Sequence, residues 1–152
     1  VDPKFRNFWS YRGCSLFKPN RIEVSRAMGL ELGLLADAMK AGDRLCEELD
    51  AAGVMMTLGE EGAILCRTGH DPVHLPTAAR HVFDVSGAGD TVTAVMALVL
   101  GSGVPVEEGA GLAGYAAAAV CAEPGVYAVT PDDILRETGR FPDDAGKNSD
   151  GG

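Results

Sequence analysis

The 152 residues carry a formal net charge of −9 and a sequence pI near 4.7, which argues against nucleic acid or an anionic membrane as partner. A hydrophobic content of 46% in a chain of this length suits one ordinary domain with a real core, and no apolar run reaches membrane-spanning length. Cys14, Cys46, Cys66 and Cys121 lie far apart with no C-x-x-C pair, so free thiols in a reducing cytoplasm are expected rather than disulfides or a zinc site; His70, His74 and His81 share no metal-ligand spacing.

In chain order, Val1-Asp2-Pro3-Lys4 reads as the end of a buried strand followed by a loop, as though the chain were entered part-way through a sheet. Phe5 to Arg12 mixes aromatic and basic residues; the acidic remainder of the chain favours a packed surface loop over a nucleic-acid stacking site. Ser15-Leu16-Phe17-Lys18 predicts a short strand stopped by Pro19. Asn20 stands where an N-cap belongs, with Glu23 three residues on and Val24, Ala27 and Met28 behind it, the pattern of a capping box. One helical turn also puts Asn20 and Glu23 on the same side, where both can face one hydrated metal. Leu32 to Asp50 predicts two helical pieces on either side of Gly42.

Val54-Met55-Met56-Thr57-Leu58 predicts a strand whose unbroken apolar character suits a parallel sheet covered on both faces. Gly59-Glu60-Glu61-Gly62 follows at its C-terminal end, where α/β folds bind ligands, and is equally consistent with a plain hairpin into the next strand, Ala63 to Cys66. Its two glutamates would repel a phosphodiester backbone, which sets aside an RNA-binding G-x-x-G loop. Arg67 to Pro72 is predicted as a turn and Val73 to Leu75 as a short strand.

The stretch from His81 to Thr91, His-Val-Phe-Asp-Val-Ser-Gly-Ala-Gly-Asp-Thr, predicts a strand running through a tight turn into a helix. Gly87 and Gly89 let the backbone approach a ligand closely, and the first N–H groups of the helix lack internal partners, so the turn is an anion site. Asp90 would repel a phosphate as a ligand and is better read as a base acting beside one. The helix Val92 to Leu100 is apolar on nearly every side and predicted buried, ending at Gly101 to Pro105; a second, alanine-rich helix spans Val106 to Ala122. Thr130-Pro131-Asp132-Asp133 is a helix start with Thr130 as N-cap. Residues 1–138 are expected to fold and 139–152 to form a disordered tail. There is no Walker G-x-x-x-x-G-K-[ST], and Val92 stands where a dinucleotide fingerprint needs its third glycine.

Asp84-Val85-Ser86-Gly87-Ala88-Gly89-Asp90-Thr91 resembles the C-terminal signature of the ribokinase-like (PfkB) carbohydrate kinases. The wider neighbourhood, from His74-Leu75-Pro76-Thr77 to Thr91, looks most like the heptose-7-phosphate kinases of lipopolysaccharide core synthesis. The resemblance covers about Val1 to Arg136 and corresponds to the C-terminal half of the family's kinase domain. It implies the C-terminal part of a ribokinase-like three-layer α/β sandwich, with a mostly parallel central sheet and helices on both faces.

The same resemblance implies an ATP-dependent sugar kinase, or alternatively a nucleotide-binding module without phosphotransfer. Asp90 would be the catalytic base, and the N–H groups of Gly87, Ala88 and Gly89 would form the anion hole. Thr57, Gly59 and Gly62 match the strand-end Thr-x-Gly-x-x-Gly that lines the nucleotide. Asn20 and Glu23 match the N-x-x-E motif that orders Mg2+ through water, and Asp84 and Ser86 match positions at a monovalent-cation site, usually K+. Gly114 stands on the helix behind the adenine pocket where an asparagine is common. The implied partners are ATP and a sugar phosphate, with the heptose form phosphorylated at its anomeric oxygen on the way to ADP-heptose, in a cytoplasmic enzyme expected to be a homo-oligomer.

Overall fold

The computed structural model describes residues 1–79 and 82–140. Its sheet has two halves of opposite character. Strands β1 (Gly53–Thr57), β2 (Ala63–Arg67) and β3 (His70–Leu75) follow in spatial order and pair antiparallel, with Thr57 opposite Ala63 and Leu65 opposite Val73. On the other side of β1, residues 16–20 run parallel to it through bridges at Phe17↔Val54 and Asn20↔Thr57. Val1 extends that side, since its ammonium donates to the Leu16 carbonyl at 2.7 Å and its carbonyl accepts from Lys18 N–H at 2.8 Å, the hydrogen-bond pattern of a parallel pair. The expectation of a mostly parallel sheet is therefore corrected for the described residues: only the 16–20 side is parallel, and Pro19, which has no N–H to give, keeps its pairing short.

Successive residues of β1 point to opposite faces, and each face meets its own helices. Val54 and Met56 join Ile64 and Cys66 against α2 (Leu35–Leu49), whose Ala38, Leu45 and Leu49 are buried with Val24 of α1 (Arg21–Met28). Met55 joins Leu16, Ala63 and Leu65 against α3 (Ala88–Ser102) and α4 (Val106–Cys121), through Val92, Met96, Val99, Ala113 and Ala116. Helices thus cover both faces of the sheet, as expected.

Several local expectations change. Helix α2 is continuous through Gly42, and the glycine serves contact rather than interruption: a Cβ there would stand 2.4 Å from Cys66 Sγ. Gly109 does the same between α4 and α3, where a Cβ would meet Val99 Cγ1 at 2.2 Å. The strand after β2 begins at His70 and includes Pro72, tolerated because β3 is the outer strand of the hairpin series. Residues 82–85 form no strand: their backbone is tied to the end of α4, Phe83 N–H donating to the Cys121 carbonyl at 2.7 Å, and Phe83 is 79% exposed. Helix α3 is not buried all round either, since Leu98 is 74% exposed on its outer side.

The aromatic segment near the start is a 3-10 helix, Phe5–Ser10, rather than the expected loop; Phe8 is buried edge-on against Phe17, their ring centroids 5.0 Å apart, while Trp9 is exposed. Other calls hold. All four cysteines are free thiols. Helix α5 (Pro131–Arg140) starts with Thr130 as its cap and runs two residues into the stretch expected to be a tail; residues 141–152 and His81 lie outside the described residues. No described helix is long and apolar enough to cross a membrane.

Candidate active site

The turn before α3 is built by its own side chains. Asp84 accepts from Ser86 N–H at 2.9 Å, an Asx turn that brings the chain round to Gly87. Gly87 caps α3 with φ 83° and ψ −10°, a left-handed conformation that a side chain would strain. Thr91 N–H donates back to the Gly87 carbonyl at 2.9 Å and closes the first helical turn. No side chain caps this helix. Ala88 N–H is spent on the Val85 carbonyl at 3.3 Å, while the N–H groups of Gly87, Gly89 and Asp90 have no protein acceptor among the described residues. Within the Gly87-Ala88-Gly89 set expected from sequence, only the Ala88 N–H is already engaged.

Asp90 lies in the first turn of α3, exposed, and its carboxylate has no hydrogen-bond or ion-pair partner among the described residues. A free, solvated carboxylate next to a helix N-terminus can accept a proton from a hydroxyl brought up to it. The Asp84 carboxylate behaves differently. The hydroxyl and N–H of Ser86 hold it below the ordinary carboxylate range, helped by the N–H groups of Gly125 and Val85. It therefore stays ionised and ties residues 84–86 to the loop after α4.

One functional candidate escaped the sequence reading. Lys18 is buried, its Nζ 3.2 Å from Asp2 Oδ1. The same Nζ lies 3.7 Å from the point that a Cβ at Gly89 would occupy, an ordinary contact distance, which sets the ammonium beside the first turn of α3. The alternation of the 16–20 segment explains the placement: Leu16 and Lys18 face α3, while Phe17 faces α2. A lone lysine before a proline carries no sequence signal for this; only its position two residues from Leu16, on the same strand face, hinted at it.

Asn20 caps α1, accepting from Glu23 N–H at 2.9 Å while Asn20 N–H donates to Glu23 Oε2 at 2.8 Å, so the capping box is formed. That uses one oxygen of each side chain. The remaining Glu23 oxygen suits a cation held through water, and the described residues contain no cluster of three acidic, histidine or cysteine side chains for direct coordination.

The parallel bridge Asn20↔Thr57 sets this motif beside the end of β1, where Thr57 leads into the hairpin loop. Leu58 N–H donates to the Gly62 carbonyl at 2.8 Å and Gly62 N–H to the Gly59 carbonyl at 3.0 Å, so the plain-hairpin reading describes the loop's backbone. Gly62 is required by space as well as by its φ of 88°, because a Cβ would stand 2.1 Å from the Leu75 carbonyl oxygen. The structure thus joins Lys18 to the turn at Gly89 and Asn20 to Thr57. Gly114 lies apart on α4, half-buried, with open space where a side chain would extend.

Comparison with known proteins identifies the fold and the family. The chain is 41% identical over 91% of its length to the bifunctional protein HldE of Geobacter sulfurreducens, but spans only 28% of that protein. Its fold superposes on phosphofructokinase-2 from Escherichia coli in complex with substrates and products, with a TM-score of 0.83 at 23% identity, over 92% of this chain and 46% of the other. It also superposes on Arabidopsis thaliana ribokinase complexed with ribose and ATP, with a TM-score of 0.75 at 26% identity, over 90% of this chain and 44% of that one. The fold is ribokinase-like. With residues 5–133 matching the family's sequence profile, the chain belongs to the pfkB family of carbohydrate kinases.

Proposed function

We propose that the chain supplies the nucleotide and phosphoryl-transfer side of an ATP-dependent carbohydrate kinase, with heptose 7-phosphate as the sugar in the service of ADP-heptose and lipopolysaccharide core synthesis. The observation that carries this is the pairing of an unpartnered Asp90 carboxylate with a buried Lys18 ammonium at one glycine turn. A phosphate binder gains nothing from the carboxylate, whereas a phosphotransferase needs a base for the acceptor hydroxyl and a cation for the charge on the group in transfer.

Asp90 takes the proton of the sugar hydroxyl as its oxygen attacks the γ-phosphorus and ADP leaves. The N–H groups of Gly89 and Asp90, flanked by Gly87 and Ala88, and the Lys18 ammonium stabilise the transferring phosphoryl. Thr57, Gly59 and Gly62 line the nucleotide, with Gly114 beneath the base. Asn20 and Glu23 hold the waters of a magnesium ion, which neutralises phosphate charge when bound. Asp84 and Ser86 border a potassium site that steadies the turn. The heptose assignment is supported by the motif neighbourhood and by the identity with HldE.

The open space above Gly114 favours one other reading, a nucleotide-binding module without phosphotransfer. Sugar-dependent release of ADP by the longest native chain separates the two. The kinase reading expects release with heptose 7-phosphate, and Asp90→Asn lowers kcat by about 10²–10⁴ with ADP affinity kept. ADP binding with no sugar-dependent turnover would establish the module instead.

A further inference from the structure

Two ligand-facing segments, the start of α1 and the β1–β2 loop, are joined by a contact that no motif contains. Arg21, the residue after the Asn20 cap, places Nη2 at 2.7 Å from Glu61 Oε1 in the loop. The approach is close but not aligned, for Arg21 Nε and Nη2 are buried and make no hydrogen bond of proper geometry. We take it as a charge contact with donors still unspent. Glu61 is held from its other side as well, its carbonyl 2.8 Å from His74 Nε2 on β3.

We infer that Arg21 is a positioning residue, which acts through Glu61 to hold the 59–62 loop at the height the nucleotide needs relative to Asn20 and Glu23. The inference rests on the nucleotide role proposed for Thr57, Gly59 and Gly62. Glu60 and Glu61 put two negative charges on a loop meant to lie along a polyphosphate, an arrangement that repels the ligand unless one is neutralised. Arg21 neutralises Glu61 and draws it toward α1, away from the sheet end. Its unspent N–H groups leave the pair room to tighten when the loop moves onto a ligand.

The test is a double-mutant cycle in the longest native chain, reading the Kd for Mg-ADP by calorimetry, the KM for ATP against kcat, and the melting temperature without ligand. Arg21→Ala and Glu61→Ala are each expected to change Kd and KM, with coupling of about two- to fivefold, the span of a partly exposed ion pair. The KM for ATP should move more than kcat, Arg21→Lys should restore most of the affinity, and the exchange Arg21→Glu with Glu61→Arg should recover what Arg21→Glu alone loses. Effects on Kd that simply multiply, or a lowered melting temperature with an unchanged Kd, would overturn the inference. A parent chain that binds no Mg-ADP would bring down the nucleotide reading itself and the inference with it, and that result is distinct from an uncoupled cycle on a parent that binds.

Discussion

Lys18 Nζ stands 3.7 Å from the vacant Cβ position of Gly89, so a buried cation and a side-chain-free helix start meet at one point. Among the described residues the ammonium is balanced only by Asp2, itself partly exposed, which leaves positive charge for an incoming anion. Lys18→Met keeps the length and apolar stem of the side chain and removes the charge. It is expected to lower kcat/KM by about 10²–10³ with little loss of stability, the scale of removing one preorganised charge-stabilising group. A steady-state comparison at saturating sugar checks this, and a variant within threefold of the parent, roughly a 0.7 kcal/mol effect, would remove Lys18 from the site.

Two glycines on the proposed nucleotide side should respond in opposite directions. Gly62→Ala forces a methyl to within 2.1 Å of the Leu75 carbonyl oxygen at a φ of 88° and should destabilise by about 2–5 kcal/mol. Gly114→Ala meets nothing within contact distance in a helix interior and should stabilise by about 0.5–1 kcal/mol. Chemical denaturation of both variants checks the pair; equal effects of the same sign would contradict the packing described.

The start of α5 gives a pH signature. Asp133 accepts from Thr130 Oγ1 at 2.7 Å, Thr130 N–H at 2.8 Å and the Tyr127 hydroxyl at 2.9 Å, and pairs with Arg136. The Thr130 hydroxyl, then its N–H, hold the carboxyl at about 2 instead of the ordinary 3.8. A depressed folded value means that the contribution is fully present above the unfolded value and is lost as pH falls through about 2. The melting-temperature gap between the parent and Asp133→Asn should therefore be widest above about pH 4 and close toward about pH 2. A gap independent of pH would show that the cap, not its charge, matters.

If the ionised Asp84 borders a potassium ion, turnover should rise on replacing sodium with potassium at constant ionic strength, and Asp84→Asn should abolish the difference. The Asx turn at Ser86 leads directly into Gly87, so an ion there acts on the orientation of the anion hole and the effect belongs in kcat. Equal rates in both salts would remove the cation from the reading.

What could be read from the residues followed the range of the interactions involved. The capping box at Asn20–Glu23 and the N-cap at Thr130 are three-residue chemistry and came out as expected, as did the span of α4 to within a residue, whereas α3 starts at Ala88, four residues before the expected Val92. Strand direction was not legible, because an apolar run such as 54–58 is buried on both faces whichever way its neighbours point. Gly42 looked like a break because its partner, Cys66, is remote in sequence. Residues 82–85 have a strand's composition but no described strand beside them to pair with. Lys18 needed both the strand's facing and the approach of the start of α3, a coincidence that one-dimensional reading does not contain.

The close seat of Gly42 against Cys66 has a practical use. The thiol is sealed between α2 and β2, donates a hydrogen bond to the Met39 carbonyl at 3.6 Å, and is driven well above its ordinary range, first by burial and then by nearby Asp43. An alkylating reagent needs both access and a thiolate, so it can reach Cys66 only after α2 lifts from the sheet. The labelling rate of this one sulfur is thus a clock for opening of that layer. A nucleotide that binds only the closed form should slow it by the factor 1 + [L]/Kd, which yields an affinity without any catalytic turnover.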